Sequence, residues 1–313
     1  MGSKWRRHLW RACDSTMRIL LVHNYYQRPG GEDVVFRNEA RLLRQNGHDV
    51  LEYTEHNQRI DEMNRMLVAT ATLWSCSTRS RLRKLLHDTR CDVVHFHNTF
   101  PLISPSAYGA CWEAGVPVVQ TLHNYRLLCP AATFFRNGQV CEACRDTALP
   151  WPGVFHGCYR ESHAQSAAVV AMLVLHRWMK TWQKGVTRYI TLTEFARQKF
   201  IASGFPTEKI VVKPNFVHPN FSVADRSDTY ALFVGRLAPE KGVRTFLRAW
   251  DGLSGIPLKI AGDGPLAQEV QAFIRTRKLT DVDMLGQCSP EQVSTLMRGA
   301  RFLVFPSEWY ETF

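Results

Sequence analysis

From Met17 onward the chain alternates apolar runs of strand length with amphipathic stretches of helix length. No other feature restricts the fold as much. Runs at 18–23, 92–97, 117–123, 188–192 and 209–214 are apolar almost throughout, as strands buried on both faces are. Between them, 33–45, 105–114 and 194–203 carry helical patterns, and Gly204 supplies a stop after the last. Strands this apolar, separated by helices, imply a parallel sheet covered on both sides.

The stretch NFVHPNFSVADRSD interrupts this rhythm and places a linker at 216–229. The alternation then restarts, with strands expected at 230–235, 257–262, 282–285 and 301–305 and helices at 243–250, 266–276 and 290–298. The predicted fold class is therefore α/β, with two doubly wound, Rossmann-like domains at 17–215 and 230–313. Four strands and three helices make an incomplete second sheet, so the chain is expected to be truncated at its C-terminus. Residues 1–16 hold four basic residues and two tryptophans but no apolar segment long enough for a signal peptide. They read as a disordered leader.

Ligands of such sheets sit beyond the carboxyl ends of the strands, and the motifs fall there. GRLAPEKG (235–242) follows a strand and precedes a helix. Arg236 offers a planar fork, Lys241 a compact charge and the helix start its amide groups, a set suited to a diphosphate. AGDGP (261–265) flanks Asp263 with Gly262 and Gly264 one unit later, forming a second wall of the same crevice. PSEWYETF (306–313) carries Glu308 and Glu311, carboxylates able to accept from sugar hydroxyls.

These motifs, with PGGE at 29–32, resemble family 4 glycosyltransferases of the GT-B fold, over about residues 17–313. The resemblance implies a retaining transferase that moves a sugar from a UDP- or GDP-sugar to an acceptor hydroxyl. It maps the diphosphate-binding Arg and Lys onto Arg236 and Lys241, and the first Glu of the family's E-x7-E motif onto Glu311. The second Glu would fall at 319, past Phe313. It also implies that Gly30 and Gly31 let backbone amides approach the donor phosphates or the acceptor, and that His123 lines the cleft facing the donor sugar. Asn124 replaces the Asp that follows this His in the family, while Asn98 and Arg126 are further cleft candidates. No D-x-D stretch suits a phosphate-bridging metal, so no cofactor is expected to be needed for catalysis. The chain fits cell-surface polysaccharide or glycoconjugate synthesis in the cytoplasm, at the inner face of the membrane. The alternative is an inactive sugar-nucleotide-binding or scaffold module.

Cys129, Cys141, Cys144 and Cys158 fall in one long loop (124–160) with C-x11-C-x2-C-x13-C spacing. That spacing fits a structural zinc site with four cysteine ligands, a redox pair or packed thiols. Residues 167–175 are nine apolar residues, too few to span a bilayer and read first as a core helix. The following Trp178, Lys180, Trp182 and Lys184 give a basic-aromatic flank suited to peripheral membrane contact, in keeping with a saccharide or lipid-linked acceptor. The chain carries 39 Lys and Arg against 28 Asp and Glu, a net +11 that falls to +8 without the leader. These charges are dispersed and accompany no nucleic-acid motif, so no nucleic-acid partner is expected.

Overall fold

A computed structural model describes residues 16–27, 30–216, 229–253 and 255–313. The expected leader, apart from Thr16, lies outside these residues, as do Pro29 of PGGE and most of the expected linker. The chain divides into two compact units. The first holds Met1–Ala132, Ala143–His218 and Thr312–Phe313; the second holds Thr133–Glu142 and Pro219–Glu311.

The first unit opens with β1 (Arg18–Tyr25), α1 (Gly31–Gln45), β2 (Asp49–His56), α2 (Arg65–Leu73), α3 (Cys76–Thr89), β3 (Val93–Asn98), α4 (Ser106–Glu113) and β4 (Val118–Leu122). The small antiparallel hairpin β5 (Phe135–Arg136) and β6 (Gln139–Val140) falls within the second unit. The first unit resumes with α5 (Trp151–Phe155), α6 (His163–Trp178), α7 (Thr181–Gly185), β7 (Arg188–Thr191), α8 (Glu194–Ala202) and β8 (Ile210–Val212). Its six strands run parallel in the order β2-β1-β3-β4-β7-β8.

Side chains alternate across a strand, and β1 shows why its apolar run is continuous. Ile19 and Leu21 pack with Phe36 and Ala40 of α1 on one face, while Leu20 and Val22 are fully buried as well. Helix ends follow local chemistry. Thr193 Oγ1 accepts from Ala196 N–H at the start of α8, and Gly204, at φ +84°, follows its end in the left-handed conformation. In α6, Val169, Val170, Met172 and Leu173 are buried, so the apolar run at 167–175 forms the inner face of a core helix.

The second unit continues with β9 (Ala231–Val234), α9 (Val243–Trp250), β10 (Leu258–Ala261), α10 (Ala267–Thr276), β11 (Val282–Gly286), α11 (Pro290–Gly299) and β12 (Phe302–Leu303). The sheet is parallel in the order β11-β10-β9-β12. Ala231, Phe233, Leu258 and Ile260 pack on one face against Phe246, Leu247 and Trp250 of α9 and Val270 of α10. Tyr230, Leu232 and Ala261 pack on the other against Leu296 and Ala300. Helices therefore cover both faces, as the apolar strands require.

Candidate functional site

In the second unit the three motifs meet at the carboxyl ends of β9, β10 and β12. Gly235 N–H donates to Ala261 O at 3.1 Å and Leu237 N–H to Asp263 O at 3.0 Å, joining GRLAPEKG to AGDGP. Glu308 N–H donates to Glu240 O at 3.0 Å, joining the first motif to PSEWYETF. The glycines permit this crowding. A Cβ on Gly262 would stand 1.9 Å from Gly235 O, and one on Gly242 would stand 1.9 Å from Pro306 O. Gly262 and Gly264 thus hold the two loops together, while the Asp263 side chain between them is exposed.

Two cations stand in this loop cluster. Lys241 Nζ donates to Glu311 Oε1 at 2.6 Å, and Ser307 Oγ donates to the same oxygen at 2.6 Å. The ammonium also lies 5.0 Å from the centre of the Trp309 ring. Arg236 pairs with Glu240, a buried carboxylate, while its own side chain is 62% exposed. No side chain caps α9, so its first-turn amides are left for solvent or an anion.

The first unit brings a polar cluster to the carboxyl ends of β1, β3 and β4. His23 Nε2 lies 2.7 Å from Asp33 Oδ1, and Asp33 Oδ2 accepts from Gly30 N–H at 2.8 Å. The Gly30 amide is therefore engaged by its own helix. Its φ of −128° suits any residue, and a Cβ on Gly31 would meet nothing within 4 Å. The local structure thus requires glycine at neither position.

Glu32, given no role of its own within PGGE, proves central to this end of the sheet. Its Oε1 accepts from Asn124 Nδ2 at 2.7 Å and its Oε2 from Tyr26 Oη at 2.8 Å. Burial lifts the Glu32 carboxyl above its usual range, against the pull of these two bonds. The amide that replaces the family's Asp is thus one of the two groups that satisfy Glu32.

His95, His97 and His123 are all buried. His97 Nδ1 lies 3.0 Å from His123 Nε2, and His95 Nε2 lies 2.8 Å from Thr121 Oγ1. Above them, Glu39 of α1 places Oε1 3.4 Å from His95 Nδ1 and Oε2 3.7 Å from His97 Nε2. Lys213 Nζ reaches both Glu39 oxygens, at 3.1 and 3.2 Å. Burial alone would raise the Glu39 carboxyl, but His95 and Lys213 outweigh it and bring it down to about 2. Burial and the neighbouring histidines and Lys213 push His97 well below the usual imidazole range. Burial likewise takes His123 down to about 3. Both rings are neutral near pH 7.

Two of the expected cleft residues also have structural work. Asn98 is buried: its Nδ2 donates to Asn24 O at 2.7 Å and its Oδ1 accepts from Phe100 N–H at 3.0 Å. It pins the loop after β3. Arg126 lies over the rings of Phe100 and Tyr159, at 4.5 and 5.0 Å, and bonds to Pro130 O.

Among the described residues, the one group of three or more metal-ligating side chains whose donor atoms converge is Glu39, His95 and His97, within 4.8 Å. Along the long loop, Cys129 and Cys144 are buried and Cys141 and Cys158 are half-buried. Cationic side chains help to order the long loop. Arg126 does so from within, and Arg177 of α6 donates to Leu127 O at 2.9 Å and Thr147 O at 3.1 Å. Trp182, expected at an interfacial flank, is only 2% exposed and packs in the core beside His176, whereas Trp178 is 80% exposed.

Residues 29–221 match the family described as Glycosyltransferase Family 4, and residues 217–313 match Glycosyl transferases group 1. The chain belongs to Glycosyltransferase Family 4. It is similar to an uncharacterized glycosyltransferase of Methanocaldococcus jannaschii, 30% identical over 99 residues, or 32% of this chain and 28% of that one. It is also similar to the alpha-D-kanosaminyltransferase of Streptomyces kanamyceticus, 24% identical over 76% of this chain and 58% of that one. The chain thus spans less than two thirds of either curated relative. Among solved structures, Anabaena HepE in complex with UDP and glucose matches with a TM-score of 0.61 and 14% identity, over 95% of this chain and 76% of that one. The fold is that of GT-B glycosyltransferases, with two Rossmann-like parallel sheets.

Proposed function

We propose that the chain transfers a sugar from a UDP- or GDP-sugar to an acceptor hydroxyl with retention of anomeric configuration. The observation that carries this reading is the meeting of three strand-end loops around Arg236, Lys241 and the start of α9. Breaking the bond between the anomeric carbon and the diphosphate leaves negative charge on the leaving group. A guanidinium, an ammonium and helix amides already in position stabilise that charge without reorganising. The acceptor oxygen bonds the anomeric carbon on the face the diphosphate leaves, and the acceptor proton passes to a leaving phosphate oxygen. Glu311 receives the donor sugar's hydroxyls, and His123 of the first unit accepts from a sugar hydroxyl.

Membership of a glycosyltransferase family supports the reaction, and UDP with glucose bound to the Anabaena protein supports the donor class. A saccharide or lipid-linked acceptor in surface polysaccharide or glycoconjugate synthesis fits a peripheral membrane site on the first unit. There α2 exposes Met66 and Leu67, α6 exposes Trp178, and Lys180 and Lys184 follow.

The test is incubation of the protein with UDP- and GDP-sugars and saccharide acceptors, with the product linkage read by NMR. A product that keeps the donor's anomeric configuration, formed equally well in EDTA, is expected. An inverted linkage would contradict the reading, as would no nucleotide release from any donor.

A further inference from the structure

The contacts in the buried chain from Glu39 to His123 favour one arrangement of protons. Glu39 is ionised and can only accept, and its Oε2 faces His97 Nε2 at 3.7 Å. His97 Nε2 makes no hydrogen bond among the described residues, and a bare lone pair there would oppose the carboxylate. The proton of the neutral ring therefore sits on Nε2. Nδ1 is left as an acceptor, so the 3.0 Å contact is made by His123 Nε2–H donating to it. His123 is neutral as well, and its single proton is then used. We propose that Glu39 and His97 are positioning residues that fix His123 as the Nε2–H tautomer, presenting Nδ1 as an acceptor for a hydroxyl of the bound sugar.

The opposite tautomer would offer that hydroxyl a donor, so the relay decides how His123 meets its ligand. His95 stands beside this relay and not in it, since its Nε2 is taken by Thr121. A metal on Glu39, His95 and His97 is the competing arrangement. It would need a bare His97 Nε2, the reverse of the tautomer inferred here. It would also have to displace Lys213 from both Glu39 oxygens.

The role of Nδ1 rests on the transferase reading, whereas the tautomer does not. Long-range 1H–15N spectra of the full chain labelled with 15N-histidine, recorded without substrate at pH 7.5, read the tautomer directly. His97→Phe and His123→Phe assign the signals. Protonated Nε2 and bare Nδ1 are expected on both His97 and His123. In Glu39→Gln the side-chain amide can donate to His97 Nε2, so both rings should shift toward Nδ1–H. Transfer should then fall about tenfold or more in kcat, with donor KM changed less than about twofold. Nδ1–H on His123 in the unsubstituted protein would overturn the proposal, as would stoichiometric zinc bound through His97. If Glu39→Gln does not fold, the unsubstituted spectrum still decides. A correct tautomer without transfer in the unsubstituted protein would count against the transferase reading and leave the relay standing.

Discussion

Lys241 Nζ donates to Glu311 Oε1 at 2.6 Å, across 70 residues of sequence. The lysine that the motif assigns to the diphosphate and the glutamate assigned to the donor sugar are thus partners within one unit. The carboxylate holds the ammonium in place and partly neutralises it before any donor arrives.

Glu311→Gln separates these two roles. The variant should bind UDP or GDP at least as tightly as the parent, because Lys241 is released to the phosphates. Sugar transfer should fall about 100-fold, the scale on which loss of a positioned polar contact acts. Parallel loss of nucleotide affinity and turnover, measured by calorimetry and rate assays, would contradict the split.

Asn124→Asp sets a second carboxylate 2.7 Å from Glu32. A neighbouring charge raises a carboxyl pKa further in the folded state, so the penalty is absent at low pH and grows as pH rises through the carboxyl range. The variant should lose about 1–3 kcal/mol at pH 7 and recover most of it by pH 4.5, relative to the parent at each pH. Urea titrations at the two pH values check this. A loss that does not depend on pH would mean that the pair is not what couples these loops.

Gly262→Ala places a methyl group 1.9 Å from Gly235 O at a φ of +152°. The two loops would have to part, at about 3 kcal/mol or more. A thermal midpoint lower by roughly 12–24 °C is expected for a unit of this size. Gly31→Ala meets open space and serves as the control, with little change.

Acid should destabilise the first unit before its carboxylates titrate. His97 and His123 have depressed pKa values, so below about pH 6.5 the unfolded chain takes up protons that the folded one refuses. Stability contributed by their neutral forms is complete above that pH and is lost as pH falls toward the folded values, about 3 for His123. The stabilisation from Glu39 persists to about pH 4.5 and is lost as pH falls toward 2. A loss of about 2–4 kcal/mol between pH 7.5 and pH 5 is expected from denaturant titrations. No change over that interval would mean that the two rings take up protons in the fold as they do in the unfolded chain.

Membrane contact through Trp178 and its neighbours predicts sedimentation with anionic vesicles at low salt. Trp178→Ala should weaken this binding and Trp182→Ala should instead lower thermal stability, because only the first ring is exposed. Protein that remains in the supernatant at low salt would end the proposal.

The second unit was legible because its chemistry is local. Each loop follows an apolar strand directly, so the motif and its place at the sheet end are read together. The first unit hides more. β2 reads DVLEYTEH and sits at the sheet edge with alternating exposure, so it lacks the continuous apolar run that marks β1. Glu39 lies within an amphipathic helix, where a glutamate ordinarily marks the wet face, yet it turns inward onto two histidines and Lys213. Glu32 and Asn124 are 92 residues apart and only the fold pairs them. In the long cysteine loop the spacing suits a metal, and the fold adds what no spacing shows: Arg126 and Arg177 bind its backbone carbonyls.

The central claim is that Arg236, Lys241 and the start of α9 hold a nucleoside diphosphate, and titration calorimetry of UDP and GDP against the full chain measures it most directly. At least one nucleotide should bind, and Lys241→Ala should weaken it about 10- to 100-fold, the worth of a charge-assisted hydrogen bond, with the thermal midpoint essentially unchanged. Equal affinity in the variant, or no binding of either nucleotide to the parent, would contradict the account.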